Sequence, residues 1–316
     1  MKKAIKLLVV ISVLGAAGLV VLGAILFVIG MSTLGWNFRR LDPNYGQEPI
    51  VATLIDDTAA MRTVNIQSSN FSLVVAQSTG SYVAITYYDG MDLVRTDTLS
   101  DSGEALTIAL SRDRDIQNWF HDSAVWFRGI SANTVRITVP TYIDVSINGE
   151  SGSIWAYRLN LDSLYITNRS GNIRLTESNL NRLNITNQSG SVIVQTVSAT
   201  RYAIVNNRSG RISLTNLTSD TITIDGQSGA IRADLLTAQS VSLANRSGAI
   251  VATVNADTIR FDNTSGRVRL TVHGAQADFD IDILVTSGSG SLQHQADTGR
   301  TIVGRVASGS SRVTFV

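Results

Sequence analysis

The amino-acid sequence predicts an all-β fold, a β-solenoid of stacked two-strand rungs of about 19 residues behind one N-terminal transmembrane helix. Three observations predict it. Ser-Gly dipeptides recur through the second half of the chain, apolar residues alternate on both sides of each Ser-Gly, and an uncharged apolar run lies near the N-terminus. A fixed period near 20 residues is typical of architectures in which each repeat stacks on its neighbours.

The Ser-Gly dipeptide begins at residues 151, 170, 189, 209, 228, 247, 265, 287 and 308. Glycine permits the positive φ that a sharp corner between two strands often requires, and the serine hydroxyl is able to bond nearby backbone groups. We therefore assign a structural corner role to the glycines of seven successive repeats: Gly152, Gly171, Gly190, Gly210, Gly229, Gly248 and Gly266.

Apolar residues keep register with the dipeptide. In the repeat at Ser189, Leu183 and Ile185 precede the corner, and Val192 and Val194 follow it. A period of two on each side marks a strand with one buried face. Each repeat is predicted to run as strand, tight turn, strand and return turn.

Two rows of side chains are predicted beside the corner. Asparagine two residues before the serine predicts a ladder of amide hydrogen bonds between rungs about 4.8 Å apart; it occurs at Asn168, Asn187, Asn207, Asn245 and Asn263. The next position alternates arginine with a neutral residue: Arg169, Gln188, Arg208, Gln227, Arg246 and Thr264. Alternation keeps like charges about 9.6 Å apart, near a Debye length, so we interpret it as avoidance of self-repulsion. A ligand-binding arginine row is the alternative.

A membrane anchor is predicted at the N-terminus. Residues 7–31 carry no charge and would span about 37 Å as a helix, enough to cross a hydrocarbon core of about 30 Å. The alternative, a cleaved signal peptide, normally has a shorter apolar region. All three lysines lie in residues 1–6, and only Arg39 and Arg40 follow the span closely. This bias predicts a single-pass membrane protein, with a short cytoplasmic N-terminal tail and residues 41–316 extracellular.

The remaining chain divides into three parts. Residues 32–60 are predicted to be a linker, residues 61–140 an irregular β capping region, and residues 141–316 the solenoid repeats. An insertion over residues 111–134 breaks the strand pattern. Its aromatic residues either plug the solenoid end or form an interaction surface: Trp119, Phe120, Trp126 and Phe127.

The amino-acid composition argues against several classes of function. The absence of cysteine excludes disulfides, thiolate metal sites and cysteine nucleophiles. From Asp42 onward, 21 arginines oppose 25 aspartates and glutamates, a difference of −4, which argues against a nucleic-acid binder or a sensor of anionic polymers unless a local arginine patch forms. The histidines, His121, His273 and His294, are widely spaced, and no paired carboxylates recur at the rung spacing. We expect no enzymatic activity, cofactor or metal site.

A family resemblance rests on the repeat motifs. The stretch from Val135 to Leu175, which contains INGESGSIWAYRLNLDSLYITNRSGNIRL, and the later ITNQSGSVIV, VNNRSGRISL and LANRSGAIVA resemble the bacterial β-strand-repeat domain of unknown function labelled "putative adhesin". The resemblance covers roughly residues 60–316. The membrane-anchored layout resembles Lia-type cell-envelope-stress proteins. The resemblance implies no catalytic residues.

Two functions are therefore open. The first is a non-enzymatic interaction or adhesion scaffold at the bacterial envelope, with an envelope protein or a glycan as partner. The second is a sensor or regulatory component of an envelope stress response. Because the cytoplasmic tail has only about six residues, sensing would work through a membrane partner.

The C-terminal end raises a question of assembly. Val313 and Phe315 stand in a core-facing strand that no polar cap follows. A terminal strand leaves backbone donors and acceptors unpaired. Either the last rungs close the end themselves, or this edge pairs with a second copy to form a homodimer.

Overall fold

The computed structural model describes residues 49–55, 60–88, 93–112, 134–296 and 299–316. Within these ranges the chain forms eighteen β-strands and one turn of 3-10 helix at Gln276–Asp278. None of the helical structure in this part of the chain is long and apolar enough to cross a bilayer. The transmembrane helix predicted over residues 7–31 lies outside the described residues.

The strands are enriched in β-branched and aliphatic residues that alternate between core and solvent. The first nine are β1 (Pro49–Ile55), β2 (Thr63–Ser68), β3 (Ser72–Gln77), β4 (Val83–Tyr88), β5 (Leu93–Leu99), β6 (Ala105–Arg112), β7 (Thr134–Val139), β8 (Asp144–Gly149) and β9 (Ile154–Tyr157). The others are β10 (Asn160–Asn168), β11 (Ile173–Ser189), β12 (Val192–Ser209), β13 (Ile212–Ser228), β14 (Ile231–Ser247), β15 (Ile250–Val272), β16 (Asp280–Ser289), β17 (Leu292–His294) and β18 (Thr301–Phe315).

Parallel stacking of whole repeats builds the central part of the fold. Strands β10 to β15 pair in sequence order, each with the next, and the Ser-Gly corners keep register. Val192 lies opposite Ile212, and Val205 lies opposite Ile224. All four side chains are buried. The inward positions on either side of the corner therefore form one continuous core.

Each rung has a third hydrogen-bonded side, where the sequence predicted only a return turn. Val197 pairs with Leu217, Leu217 pairs with Leu236, and Leu236 pairs with Val254. All four are buried. The prediction of two-strand rungs was therefore incomplete, because this short side contributes its own inward positions to the core and is itself part of the parallel ladder.

The residues that make some repeats longer or shorter are located away from the Ser-Gly corner. The longer repeat that ends at Ser209 has an extra residue between Ala199 and Tyr202, where the ladder shifts register. The shorter repeat that ends at Ser265 lacks one residue opposite the stretch from Ala233 to Leu236. The other two corners absorb these changes, so the Ser-Gly corner stays aligned through the stack.

The N-terminal end is closed by strands out of sequence order. The rung β2–β3 lies between β8–β9 on one side and β6–β7 on the other, with all pairs parallel. Strand β5 then pairs antiparallel with β6, and β4 pairs antiparallel with β7 and β1. Residues 49–55, which the sequence placed in a linker, thus form a strand of this end.

The C-terminal end also departs from chain order. Strand β18 lies between β15 and β16, and β17 pairs antiparallel with β16. Val313 faces Leu270, and the ring of Phe315 lies 5.9 Å from that of Phe279. Over Ser311–Phe315 no strand among the described residues pairs with the outer side of β18. Among the described strands, this end is closed by the chain itself except along these five residues and along the outer side of β16 after Ile283.

Candidate functional site

The main chain of the Ser-Gly corner continues the ladder from rung to rung. The Gly190 N–H donates to the carbonyl of Ser209 at 3.0 Å, and the Gly210 N–H donates to that of Ser228 at 3.0 Å. The corner glycines have φ between 112° and 129°: Gly152, Gly171, Gly190, Gly210, Gly229, Gly248 and Gly266. These angles lie in a region that side chains disfavour.

The corner also has no room for a side chain. A Cβ on Gly190 would lie 2.7 Å from the carbonyl carbon of Gly171, in the rung before it. The same clash recurs at Gly210, where the carbonyl carbon of Gly190 would be 2.8 Å away. Glycine is thus required both for its backbone angles and for the close approach of successive corners.

The asparagine row bonds to the corner glycines and not to itself. The Nδ2 of Asn207 donates to the carbonyl of Gly190 at 2.9 Å, and that of Asn245 donates to Gly229 at 3.0 Å. Asn168, Asn187 and Asn263 make the equivalent bond. The prediction of hydrogen bonds between neighbouring asparagines was wrong. Each asparagine amide donates instead to the glycine carbonyl of the preceding rung. The corner is thereby tied to the core on its inner side.

An open groove of about 590 Å³ runs along the outside of the same corner. It is lined by the row from Arg169 to Arg246 and by the serines from Ser170 to Ser228. All of these side chains are exposed. Because successive rungs lie about 4.8 Å apart, the groove presents a serine on every rung and an arginine on every second rung, with glutamine between.

The groove arginines have no structural partner. Arg169, Arg208 and Arg246 make neither an ion pair nor a side-chain hydrogen bond within the described residues, whose ion pairs all involve other arginines. The hydroxyls of Ser170 and Ser209 also make no hydrogen bond in this part of the chain, although the sequence predicted bonds to the backbone. The guanidinium groups and the serine hydroxyls of the groove are therefore available as hydrogen-bond donors.

A local arginine patch therefore forms despite the net negative charge of the domain. Glu150 begins the row, one rung before Arg169, and the row carries no further carboxylate up to Arg246. The adjoining face adds Arg174 and Arg232, which lie in one outward column of the ladder and are exposed. The net charge argued against an anionic partner unless a local arginine patch formed. These arginines form such a patch, so an anionic partner remains possible.

Some polar residues elsewhere on the surface contact one another. Arg182 lies 3.6 Å from Asp144, and a side-chain hydrogen bond with Tyr165 raises the pKa of Tyr202. Within the described ranges no group of histidines and carboxylates has the arrangement of a metal site. These side chains pair with one another, whereas the groove side chains recur without partners, so the groove is the best candidate site.

The predicted aromatic surface lies outside the described residues; it comprises Trp119, Phe120, Trp126 and Phe127. Two other large aromatic residues are exposed in the described part: Trp155, at 53%, and Tyr142, at 72%. Trp155 stands between the buried Ile154 and Ala156, so strand alternation alone could have identified it as outward-facing. Tyr142 borders a second groove of about 440 Å³.

The parallel stack and its corner groove define a β-repeat domain in which one surface motif is displayed many times. The sequence profile of the Toastrack DUF4097 family matches residues 61–315, so the chain belongs to that family. This confirms the resemblance found in the repeat motifs.

Several solved bacterial structures are similar to this chain at low sequence identity. A "putative cell adhesion protein" from Clostridium sporogenes is 9% identical with a TM-score of 0.33, and the match covers 85% of this chain and 100% of that one. A "putative adhesin" from Bacteroides fragilis is 12% identical with a TM-score of 0.39, covering 85% and 97% of the two chains. One from Parabacteroides distasonis is 12% identical with a TM-score of 0.30, covering 85% and 94%. No curated protein matches the chain.

Proposed function

We propose that this chain is a non-enzymatic interaction scaffold at the bacterial envelope. The observation that carries the proposal is the corner groove, where exposed arginine and serine side chains without structural partners recur along the stack. A repeated row of donors about 4.8 Å apart suits an extended partner, because a compact molecule would contact only one or two rungs. The partner is an extended envelope polymer or protein that lies along the groove.

The position at the membrane follows from the N-terminal sequence. The uncharged run over residues 7–31 is long enough to span a bilayer, and the lysines before it favour a cytoplasmic N-terminus. On this proposal the repeat domain lies outside the cell and presents its groove to the envelope. The helix supplies the attachment, and the stack supplies the rigid surface.

Two experiments test the scaffold. Protease added to intact spheroplasts should remove the domain from the full-length chain, and full protection would contradict the extracellular location. The full-length chain in nanodiscs should co-sediment with insoluble bacterial cell-wall material, whereas empty nanodiscs should stay in the supernatant. Failure of the chain to co-sediment with walls from several bacteria would contradict a scaffold that binds the envelope.

A further inference from the structure

We propose that the corner groove binds a linear acidic polysaccharide that carries one carboxylate per disaccharide. This inference rests on the proposed scaffold function and names its ligand. Arg169, Arg208 and Arg246 would each pair with one carboxylate of the chain. The guanidinium group suits this task, because its planar fork matches a carboxylate in a bidentate geometry.

The spacing of the charges selects the repeat length of the ligand. The three arginines lie two rungs apart, so the cationic groups recur about every 9.6 Å over a span of about 19 Å. Gln188 and Gln227 occupy the rungs between them. An extended β-linked disaccharide has about the length of two rungs. One sugar of each pair would therefore meet an arginine, and the other would meet a neutral amide.

The serine row of the groove suits sugar hydroxyls. The serine hydroxyls from Ser170 to Ser228 are exposed and able both to donate and to accept hydrogen bonds. They run parallel to the arginine row at one hydroxyl per rung. A polysaccharide presents hydroxyls along its whole length, so every rung has a complementary contact.

The groove is rigid before any ligand arrives. The glycine corner is fixed by its backbone hydrogen bonds, and Asn207 and Asn245 tie it to the core from within. The backbone positions of the arginines are therefore held at fixed intervals. Such preorganisation reduces the entropy lost when an extended ligand binds.

Nucleic acid fits the groove poorly. Phosphates recur about every 3.4 Å along one strand of a duplex, nearly three times as densely as the arginines. Proteins that bind single strands add aromatic side chains on which bases stack. The groove is lined by arginine, glutamine and serine, without an aromatic residue. The observations therefore favour a polysaccharide with sparse charge.

The test measures ligand binding by the full-length chain in nanodiscs. The probe is a fluorescent hyaluronan oligosaccharide, which carries one carboxylate per disaccharide, and fluorescence anisotropy gives Kd. Comparison ligands are polygalacturonate of equal length, with one carboxylate per sugar, neutral dextran and single-stranded poly(dT). Hyaluronan should bind more tightly than all three, and the binding should weaken with added salt.

Two triple variants locate the site. Replacement of the groove arginines by glutamine (R169Q, R208Q and R246Q together) should weaken hyaluronan binding about 10- to 100-fold, the expected loss for three exposed ion pairs. The control variant (R201Q, R260Q and R305Q) removes the same charge from exposed positions outside both the groove and the adjoining arginine column. It should change Kd by less than about twofold. Equal losses in both variants would overturn the proposal, because a general positive field would then explain binding.

A gain-of-function variant keeps the proposal testable even if the triple variants fold poorly. Replacement of both intervening glutamines (Q188R and Q227R) halves the charge spacing to about 4.8 Å. The preference should shift from hyaluronan towards polygalacturonate. An unchanged preference, or poly(dT) binding as tight as hyaluronan binding, would overturn the assignment. If the groove triple variant still co-sediments with cell walls, the wall binds at another surface. That result would reject the groove as the ligand site and leave the scaffold function in place.

Discussion

The ring of Phe261 fills the space that a side chain at Gly304 would occupy. The two residues lie opposite each other on β15 and β18, both at an inward position four residues before a corner serine. Phe261 is fully buried, and a Cβ on Gly304 would fall among its ring atoms. This large–small pair places β18 directly beside β15, although β16 and β17 intervene in the chain.

A double-mutant cycle should detect this pair. Gly304→Val should cost about 1–3 kcal/mol by overpacking, and Phe261→Ile should cost a similar amount by leaving a cavity. The double variant restores two medium-sized side chains, as in the other rungs, and should recover about 1–3 kcal/mol relative to the sum. Urea unfolding of residues 41–316 measures each step. Additive costs would show that the two residues are not neighbours.

The insertion of β18 also predicts the assembly state. Its first ten residues, Thr301–Ser310, are paired on both sides, and only Ser311–Phe315 have a free outer edge. We expect residues 41–316 to sediment as a monomer at all concentrations, because five residues offer a short edge. A dimer that Val313→Lys abolishes would instead show pairing with a second chain along this edge.

Much of the repeat was predictable because it is local in sequence. Leu183, Ile185, Val192 and Val194 alternate around one corner, and all four are buried as the alternation predicts. The third side escaped detection because it is short and its inward positions include small or polar residues such as Ser178. Period-two alternation needs several strong apolar residues before it is visible.

The ends and the site could not be predicted for a different reason. Phe261 and Gly304 lie on strands that are neighbours in the sheet but are separated by two strands in the sequence. No local sequence pattern indicates this change of strand order. The arginine row was visible in the sequence, but its function depends on whether Arg208 and its equivalents have partners. Only the three-dimensional arrangement shows that the carboxylates which form ion pairs nearby do so with other arginines.

A corner glycine should tolerate no side chain. Gly190→Ala should cost about 3–5 kcal/mol, because backbone strain and the clash with Gly171 add together. Gly103→Ala provides the control, since Gly103 has φ of 72° but nothing within 4 Å of its Cβ position. It should lose only about 1–2 kcal/mol. Equal losses in urea unfolding would show that the close approach of corners adds nothing.

The rung that ends at Ser228 lacks the asparagine and should gain stability from it. Gly226 stands at the asparagine position, and no side chain among the described residues donates to the carbonyl of Gly210. Gly226→Asn should stabilise the domain by about 1–2 kcal/mol, through the new hydrogen bond and a less flexible unfolded chain. A Cβ at position 226 would lie 2.8 Å from the Oδ1 of Asn245, so that amide has to shift slightly; the stacked pair Asn187 and Asn207 shows that adjacent rungs accommodate two asparagines.

The matched control is Gly226→Ala, which adds the Cβ without the amide. It should gain less than half as much as Gly226→Asn, because the carbonyl of Gly210 stays without a side-chain donor. Equal stabilisation by both variants would show that the amide bond to the corner carbonyl contributes nothing measurable.

Strain at a second corner predicts a stabilising change to glycine. Thr196 has φ of 54°, an exposed side chain and a β-branched Cβ, which is unfavourable in the left-handed region. Thr196→Gly should relieve about 1–2 kcal/mol of strain against an entropic cost of about 0.5–1 kcal/mol, so a net gain is expected. Asn216 occupies the same corner one rung later with φ of 51°. Because asparagine tolerates this region, Asn216→Gly should give no gain. Thermal unfolding of both variants decides the matter: a loss of stability in Thr196→Gly would mean that the threonine side chain makes contacts worth more than the strain it bears.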